Sequence, residues 1–335
     1  MKKATSIALA LLLTMGLSTT AFAATDGYAD QASVTLKKSY TLTNKGTVSP
    51  AETFTFSALT CTSVTDAADG ITTANAPLPT IANNAVYAKG DAGSATKTKD
   101  ITINLPTYES VGIYTYSFTE NAGVTAGVSY RSDEFKLVVT VIEQNGKVRV
   151  AGLHAENKDG VKTDTFEDNT YSAGSLAVSK EVTGQLGDKT KEFKATVTFT
   201  APEGKTVNSD ITYVDGTETK TIAASAWKDG KASAEITLKN GETVNFANIP
   251  YDVTYSVVED DYTTDGYDKA KYTNSDDNLK IDSAKDTVKI TNNKGTKEDI
   301  DTGVYTNNMP YVVVLSLVVC AGIVMVVANK RRKEN

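Results

Sequence analysis

The chain has 335 residues and a formal net charge of −7, with two cysteines and one histidine. Cys320 falls in an apolar tail, so Cys61 stands alone and an internal disulfide framework is excluded; His154 has no second His or Cys nearby to complete a metal site, so neither metal nor cofactor is expected. Without Lys2, Lys3 and the net +3 of residues 304–335, the charge falls to −12, and no basic face remains to follow a phosphate backbone, which excludes nucleic acid as a partner.

Residues 1–23 read as a secretory signal peptide. Lys2 and Lys3 form its basic start, Ile7 to Leu17 its apolar run, and Ala21-Phe22-Ala23 its small-residue site, so cleavage is expected between Ala23 and Ala24. The body that follows reads as strands and turns. "SVTLKKSYTL", "ETFTFSAL", "KDITINL" and "GIYTYSFTE" are rich in Val, Ile, Thr, Tyr and Phe. In "VIEQNGKVRV", Asn145-Gly146 separates two alternating runs and predicts a hairpin. Small and polar residues cluster at "NTYSAGSL", which places a boundary between domains at 24–172 and 173–297. The second domain opens on "SLAVSKEV", and its Asp229-Gly230 and Asn240-Gly241 predict turns like the first. The expected class is all-β, two tandem β-sandwich domains.

The two domains repeat each other. "TYSFTE" at 115–120 matches "TYSVVE" at 254–259, and "SVTLKKSYTL" resembles "SLAVSKEV". In each first strand one lysine, Lys38 or Lys180, stands in phase with apolar neighbours. In each late strand a carboxylate, Glu120 or Glu259, takes a place where an apolar residue is due. Each copy closes on an asparagine: Asn169 in "DTFEDNTY" and Asn292 in "TVKITNNK".

That trio permits a definite reaction. Desolvation disfavours the charged form of an amine, and a neutral amine is a nucleophile. A buried carboxyl can polarise an amide carbonyl and shuttle a proton from the amine to departing ammonia. A fold that holds the groups together supplies the effective concentration. The expected product is one Lys–Asn isopeptide bond per domain, Lys38 to Asn169 and Lys180 to Asn292, promoted by Glu120 and Glu259. Buried salt bridges without a bond are the competing reading.

"VTLKKSY", "GIYTYSFTE", "FEDNTY", "LAVSKEVTG", "VTYSVVEDDY" and "ITNNK" together resemble the two-domain backbone pilins of Gram-positive bacteria, over about residues 30–297. The resemblance implies streptococcal T-antigen-like, collagen-adhesin B-type (inverse immunoglobulin) domains with self-formed isopeptide bonds. One departure leaves two acceptors open. The family usually has one residue between the aromatic and the asparagine, whereas Glu167 and Asp168 both follow Phe166 here. Either a bulge keeps Asn169 in place, or Asp168 is the acceptor and water is lost.

The tail, residues 298–335, resembles a sortase sorting signal. Thr302-Gly303 in "DIDTGV" would be the cleavage site, although the usual Leu and Pro are replaced by Asp299 and Ile300. From Pro310 to Ala328 no residue is charged, a length sufficient to cross a bilayer, and Lys330, Arg331, Arg332 and Lys333 place the end in the cytoplasm. The implied protein is an exported, cell-wall pilus subunit. Its implied partners are sortase, copies of itself, minor pilins, peptidoglycan and, before sorting, the membrane. In such pilins the joining lysine lies shortly before the closing asparagine of the first domain, which points to Lys162, with Lys158 in reserve. A wall-anchored stalk or adhesin that never polymerises is the alternative. An enzyme with paired carboxylates is disfavoured because Glu120 and Glu259 fall in different domains. "EDDYTTDGYD" lacks the spacing of a calcium loop and reads as a solvated acidic loop.

Overall fold

The computed structural model describes residues 22–23, 29–92 and 98–295. Residues 1–21, Ala24 and the whole tail, including Thr302, Gly303 and the apolar span, lie outside the described residues. The first half contains β1 (Phe22–Ala23), β2 (Ala29–Asp30), β3 (Ser33–Leu42), β4 (Glu52–Phe54), β5 (Thr60–Thr65), β6 (Thr80–Ile81), β7 (Ala85–Tyr87), β8 (Thr98–Asn104), β9 (Gly112–Thr119), β10 (Glu134–Gln144), β11 (Lys147–Glu156) and β12 (Asn169–Tyr171). The second half contains β13 (Ala173–Thr183), β14 (Phe193–Thr200), β15 (Ile211–Asp215), β16 (Glu218–Ile222), β17 (Lys231–Leu238), β18 (Thr243–Pro250), β19 (Thr254–Glu259), β20 (Lys271–Asn274) and β21 (Asp286–Asn293). The fold is all-β in tandem sandwiches.

In the first sandwich, the sheet β12-β3-β8-β6 faces the sheet β11-β10-β9-β5, with the short β4-β7 pair beside them. In the second, the six-stranded sheet β16-β15-β18-β13-β21-β20 faces β17-β14-β19. Period-two alternation decides which side chains meet. Along β3, Val34, Leu36, Lys38 and Tyr40 are all buried; along β9, Tyr114, Tyr116 and Phe118 are. Two apolar cores result, one around Tyr40, Tyr116 and Phe135, the other around Phe199, Phe246 and Ile290.

One feature of the topology serves the site directly. In both sandwiches the opening strand pairs in parallel with the closing one: β3 with β12, and β13 with β21. β21 runs in unbroken register along β13, from Leu176 opposite Asp286 to Thr183 opposite Asn293. The first sandwich differs. Lys37 bridges Thr165 and Tyr40 pairs with Asn169, so three steps on β3 face four on the closing segment. The extra residue is a bulge between Phe166 and Asn169, where the sequence carries Glu167-Asp168.

Asn145 (φ 53°) and Gly146 (φ 76°) make the predicted tight turn between β10 and β11, both in the left-handed region that a type I′ hairpin requires. Asn240-Gly241 does something else. β17 pairs with β14, and β18 with β13 and β15, so this turn carries the chain from one sheet to the other. It hangs on the lysine strand: Val182 N donates to Asn240 Oδ1 at 2.8 Å, and Gly241 N donates to Lys180 O. "ETFTFSAL" is also not one strand. β4 ends at Phe54, and the chain then crosses to β9, where Phe56 bridges Glu120.

Polar contacts stitch the two sandwiches end to end. Asn44 Nδ2 reaches Ala173 O at 2.8 Å and the Tyr251 hydroxyl at 2.7 Å. Asn248 accepts from Val48 N at 2.9 Å, and Lys89 pairs with Asp210 at 2.5 Å.

Candidate functional site

Each core holds one buried lysine, one buried glutamate and one buried asparagine. Lys38, Glu120 and Asn169 are exposed by 1%, 6% and 0%; Lys180, Glu259 and Asn292 by 3%, 8% and 1%. Lysine and glutamate are almost never this enclosed unless paired. The opening strand supplies the lysine and the closing strand the asparagine, from one sheet. The glutamate comes across the core from the opposite sheet, at the end of β19 or one residue past β9.

In the second sandwich Lys180 Nζ lies 2.5 Å from Glu259 Oε1 and contacts Asn292 Oδ1. The Phe193 ring stands under the same nitrogen, 4.0 Å from its centroid. In the first, Lys38 Nζ lies 2.7 Å from Glu120 Oε2 and donates to Glu167 O at 2.9 Å. Asn169 Nδ2 donates to Glu120 Oε1 at 2.6 Å, while its Oδ1 is buried without a hydrogen-bond partner. Phe54 and Phe166 wall this lysine, at 5.6 and 5.5 Å. Asp168, the other acceptor candidate, is exposed.

Burial pulls both amines below the ordinary lysine range, against the raising pull of Glu120 and Glu259. Arg131 adds to the lowering at Lys38. A carboxylate in contact with an amine inside an apolar wall can take its proton and leave a neutral nucleophile beside an amide. The second site also opens to solvent through a cleft of about 210 Å³, lined in part by Glu259, Tyr262, Tyr272 and Asn292.

Sequence reasoning missed several neighbours. Arg131 sends its backbone N–H to Glu120 Oε1 at 3.2 Å and its guanidinium to Glu167. Nothing local marks it, because the contact depends on how the loop before β10 folds back. Phe193 could have been found from the alternation of Phe193, Ala195, Val197 and Phe199. Lys162 and Lys158 are exposed and stand apart from both cores. Lys162 sits where the segment after the 157–160 turn bridges Glu156. Lys158 is bonded to its neighbour Asp159 at 2.8 and 2.9 Å.

Comparison with known proteins identifies the chain's relatives. Residues 34–172 match the family described as Spy0128-like isopeptide containing domain. Residues 174–294 match one described as a domain of unknown function. A pilin of Streptococcus pyogenes serotype M1 is 30% identical over 273 residues, 76% of this chain and 77% of that protein. The chain belongs to the pilin family. A crystal structure of the major pilin from S. pyogenes superposes with a TM-score of 0.54 at 25% identity, covering 78% of this chain and 98% of that one. The major pilin T3.2 from S. pyogenes has a TM-score of 0.55 at 20% identity, covering 80% and 99%, a likeness of fold. This pilin is a structural subunit of the pilus shaft.

Proposed function

We propose that this pilin closes each of its two domains, 24–172 and 173–297, with a self-formed isopeptide bond. Lys38 joins Asn169 under the action of Glu120, and Lys180 joins Asn292 under Glu259. The observation that carries this reading is a buried lysine, glutamate and asparagine in contact in each of two separate apolar cores: Glu120 touches both the Lys38 amine and the Asn169 amide, and the Lys180 amine touches both Glu259 and Asn292. Glutamate takes a proton from the lysine ammonium, and the neutral amine attacks the asparagine Cγ. The C–N bond to the side-chain amide breaks, and the leaving nitrogen takes that proton from the glutamic acid and a second one from the attacking nitrogen, so the lost ammonia departs as ammonium. The carboxylate is regenerated once and never used again. Exposure of Asp168 and burial of Asn169 favour Asn169 as acceptor, with the bulge keeping it in register.

The bonds tie the parallel opening and closing strands. Tension arriving through Ala173 would run up β13 to Lys180, cross to Asn292 and leave, without peeling the strands between. Export through the 1–23 signal, cutting after Thr302 by a sortase and attachment to peptidoglycan or minor pilins complete the reading. Lys162 is proposed as the amine that joins subunits. It is exposed and has no ion pair among the described residues, whereas Asp159 raises the Lys158 amine and so keeps it protonated. Tandem mass spectrometry of a tryptic digest tests the internal bonds: branched peptides joining Lys38 to Asn169 and Lys180 to Asn292 are expected. Linear peptides with all four side chains free would overturn the proposal.

A further inference from the structure

A third cluster of charge lies outside both trios, in the stretch "NSDDNLKIDSAKD" that leads into β21; Asp286 is buried, Asp276 half-buried and Asp282 exposed. Asp276, Asp282 and Asp286 each bring a carboxylate oxygen within 4.8 Å of the others. Asp286 is 1% exposed; its Oδ1 accepts from Ser283 at 3.1 Å, but its Oδ2 is buried without a partner. An uncompensated carboxylate inside a protein is costly, and two more beside it add repulsion. Among the described residues no lysine or arginine forms an ion pair with any of the three. Lys280, on the same loop, is held by Asp252 at 3.0 Å instead.

A second group points to the same place. The Tyr255 hydroxyl, from the neighbouring β19, is buried with no hydrogen-bond partner. Tyr255 lies against the same loop, where its backbone N–H donates to Leu279 O at 2.8 Å. Converging oxygen donors with one orphaned lone pair, and an orphaned hydroxyl on the strand beside them, fit a hard metal ion.

We infer that Asp276, Asp282 and Asp286 bind one calcium ion, with Tyr255 bonding a water of its coordination shell. Calcium rather than magnesium suits the arrangement. The carboxylates come from an irregular loop and differ in depth, and calcium accepts uneven, partly bidentate oxygen ligation where magnesium demands a near-ideal octahedron. The ion would fasten the loop to the root of the closing strand. There Ser175 N and Oγ both bond Ala284 O, next to the joint at Ala173. This site is independent of the isopeptide reading.

The test uses the full chain in detergent, stripped with a chelator. Terbium, excited through tyrosine, should luminesce on binding, and calcium should displace it. Affinity should fall in the range of extracellular calcium modules, about 0.1–1 mM. A tenfold excess of calcium over Kd should raise the melting midpoint by about 4 °C, and magnesium should do much less. Asp276→Asn with Asp282→Asn should remove both responses, while its metal-free form melts no lower than the metal-free wild type because repulsion is relieved. Asp277→Asn, an exposed acid of the same loop outside the cluster, should keep them. No terbium signal and no midpoint shift at about 10 mM calcium, well above that range, would overturn the inference. So would responses of equal size in wild type and the Asp276→Asn, Asp282→Asn variant, which would mark diffuse binding to an acidic surface.

Discussion

Lys180 and Glu259 stand 79 positions apart in the chain and 2.5 Å apart in space, both inside the second core. Asn292 contacts the same lysine nitrogen. If Glu259 is the proton carrier, Glu259→Gln keeps the shape and removes the chemistry. That variant should lose ammonia from the first domain only. Glu259→Ala should melt lower still: both variants leave the Lys180 amine without its counter-charge, at a cost of about 3–5 kcal/mol beyond the missing bond, and Ala adds a cavity and loses the amide's hydrogen bond to the amine. Calorimetry on the two variants separates these effects; equal melting of Gln and Ala forms would contradict the buried-pair account.

The bond itself should stabilise. The link between Lys180 and Asn292 closes a loop of 112 positions. By analogy with disulfide loop entropy this is worth about 5 kcal/mol, less any strain. Asn292→Ala should therefore melt about 10–20 °C lower and become cleavable by protease in the second domain. Unchanged melting and protease resistance, beside a wild type shown by mass to be bonded, would refute the contribution.

The unbonded form carries its own pH signature. In Asn292→Ala the Lys180 amine stays free, and burial holds it below the ordinary lysine value of 10.5. Between the lowered value and 10.5 the unfolded chain binds more protons than the folded one, so stability rises with pH through that window and is lost as pH falls below it. Buried tyrosines such as Tyr255, ordinarily near 10.0, act in the opposite sense above that point, so the comparison belongs below it. Urea midpoints of Asn292→Ala should climb with pH relative to Asn292→Ala with Lys180→Met. Parallel midpoints in the two would remove the buried free amine from the account.

Polymer formation tests Lys162. Wall extracts should give a ladder of covalent multimers that survives boiling in detergent. Lys162→Ala should collapse it to monomer and leave both internal bonds intact, since Lys162 is remote from the cores. A persisting ladder shifts the role to Lys158. A wild type that is only ever monomeric would replace polymerisation with the anchored-stalk reading, and one that also keeps its C-terminal peptide would contradict sorting at Thr302-Gly303.

Much of the site could be read from periodicity. Lys38 and Lys180 were visible because a charged residue shared phase with Val34, Leu36 and Tyr40, or with Leu176 and Val178. Glu120 and Glu259 were visible by the same rule, and their repetition joined them. What period two cannot show is which strands become neighbours. The parallel pairing of β3 with β12 and β13 with β21 is a long-range outcome, and so is the sheet change at Asn240-Gly241. The same local turn chemistry serves a hairpin at Asn145-Gly146 and a crossing at Asn240-Gly241. Arg131 and the Asp276, Asp282, Asp286 cluster were hidden for a related reason, since irregular segments bring them into place with no repeating pattern.

The most direct measurement is the intact mass of residues 24–297, expressed alone with no added enzyme. Two isopeptide bonds predict the sequence mass less two ammonia, with one ammonia restored by Glu120→Ala and the other by Glu259→Ala. One water lost in place of the first ammonia would make Asp168 the acceptor and Asn169 a bystander. A mass equal to that of the sequence would contradict the account, leaving two buried salt bridges beside two unreacted asparagines.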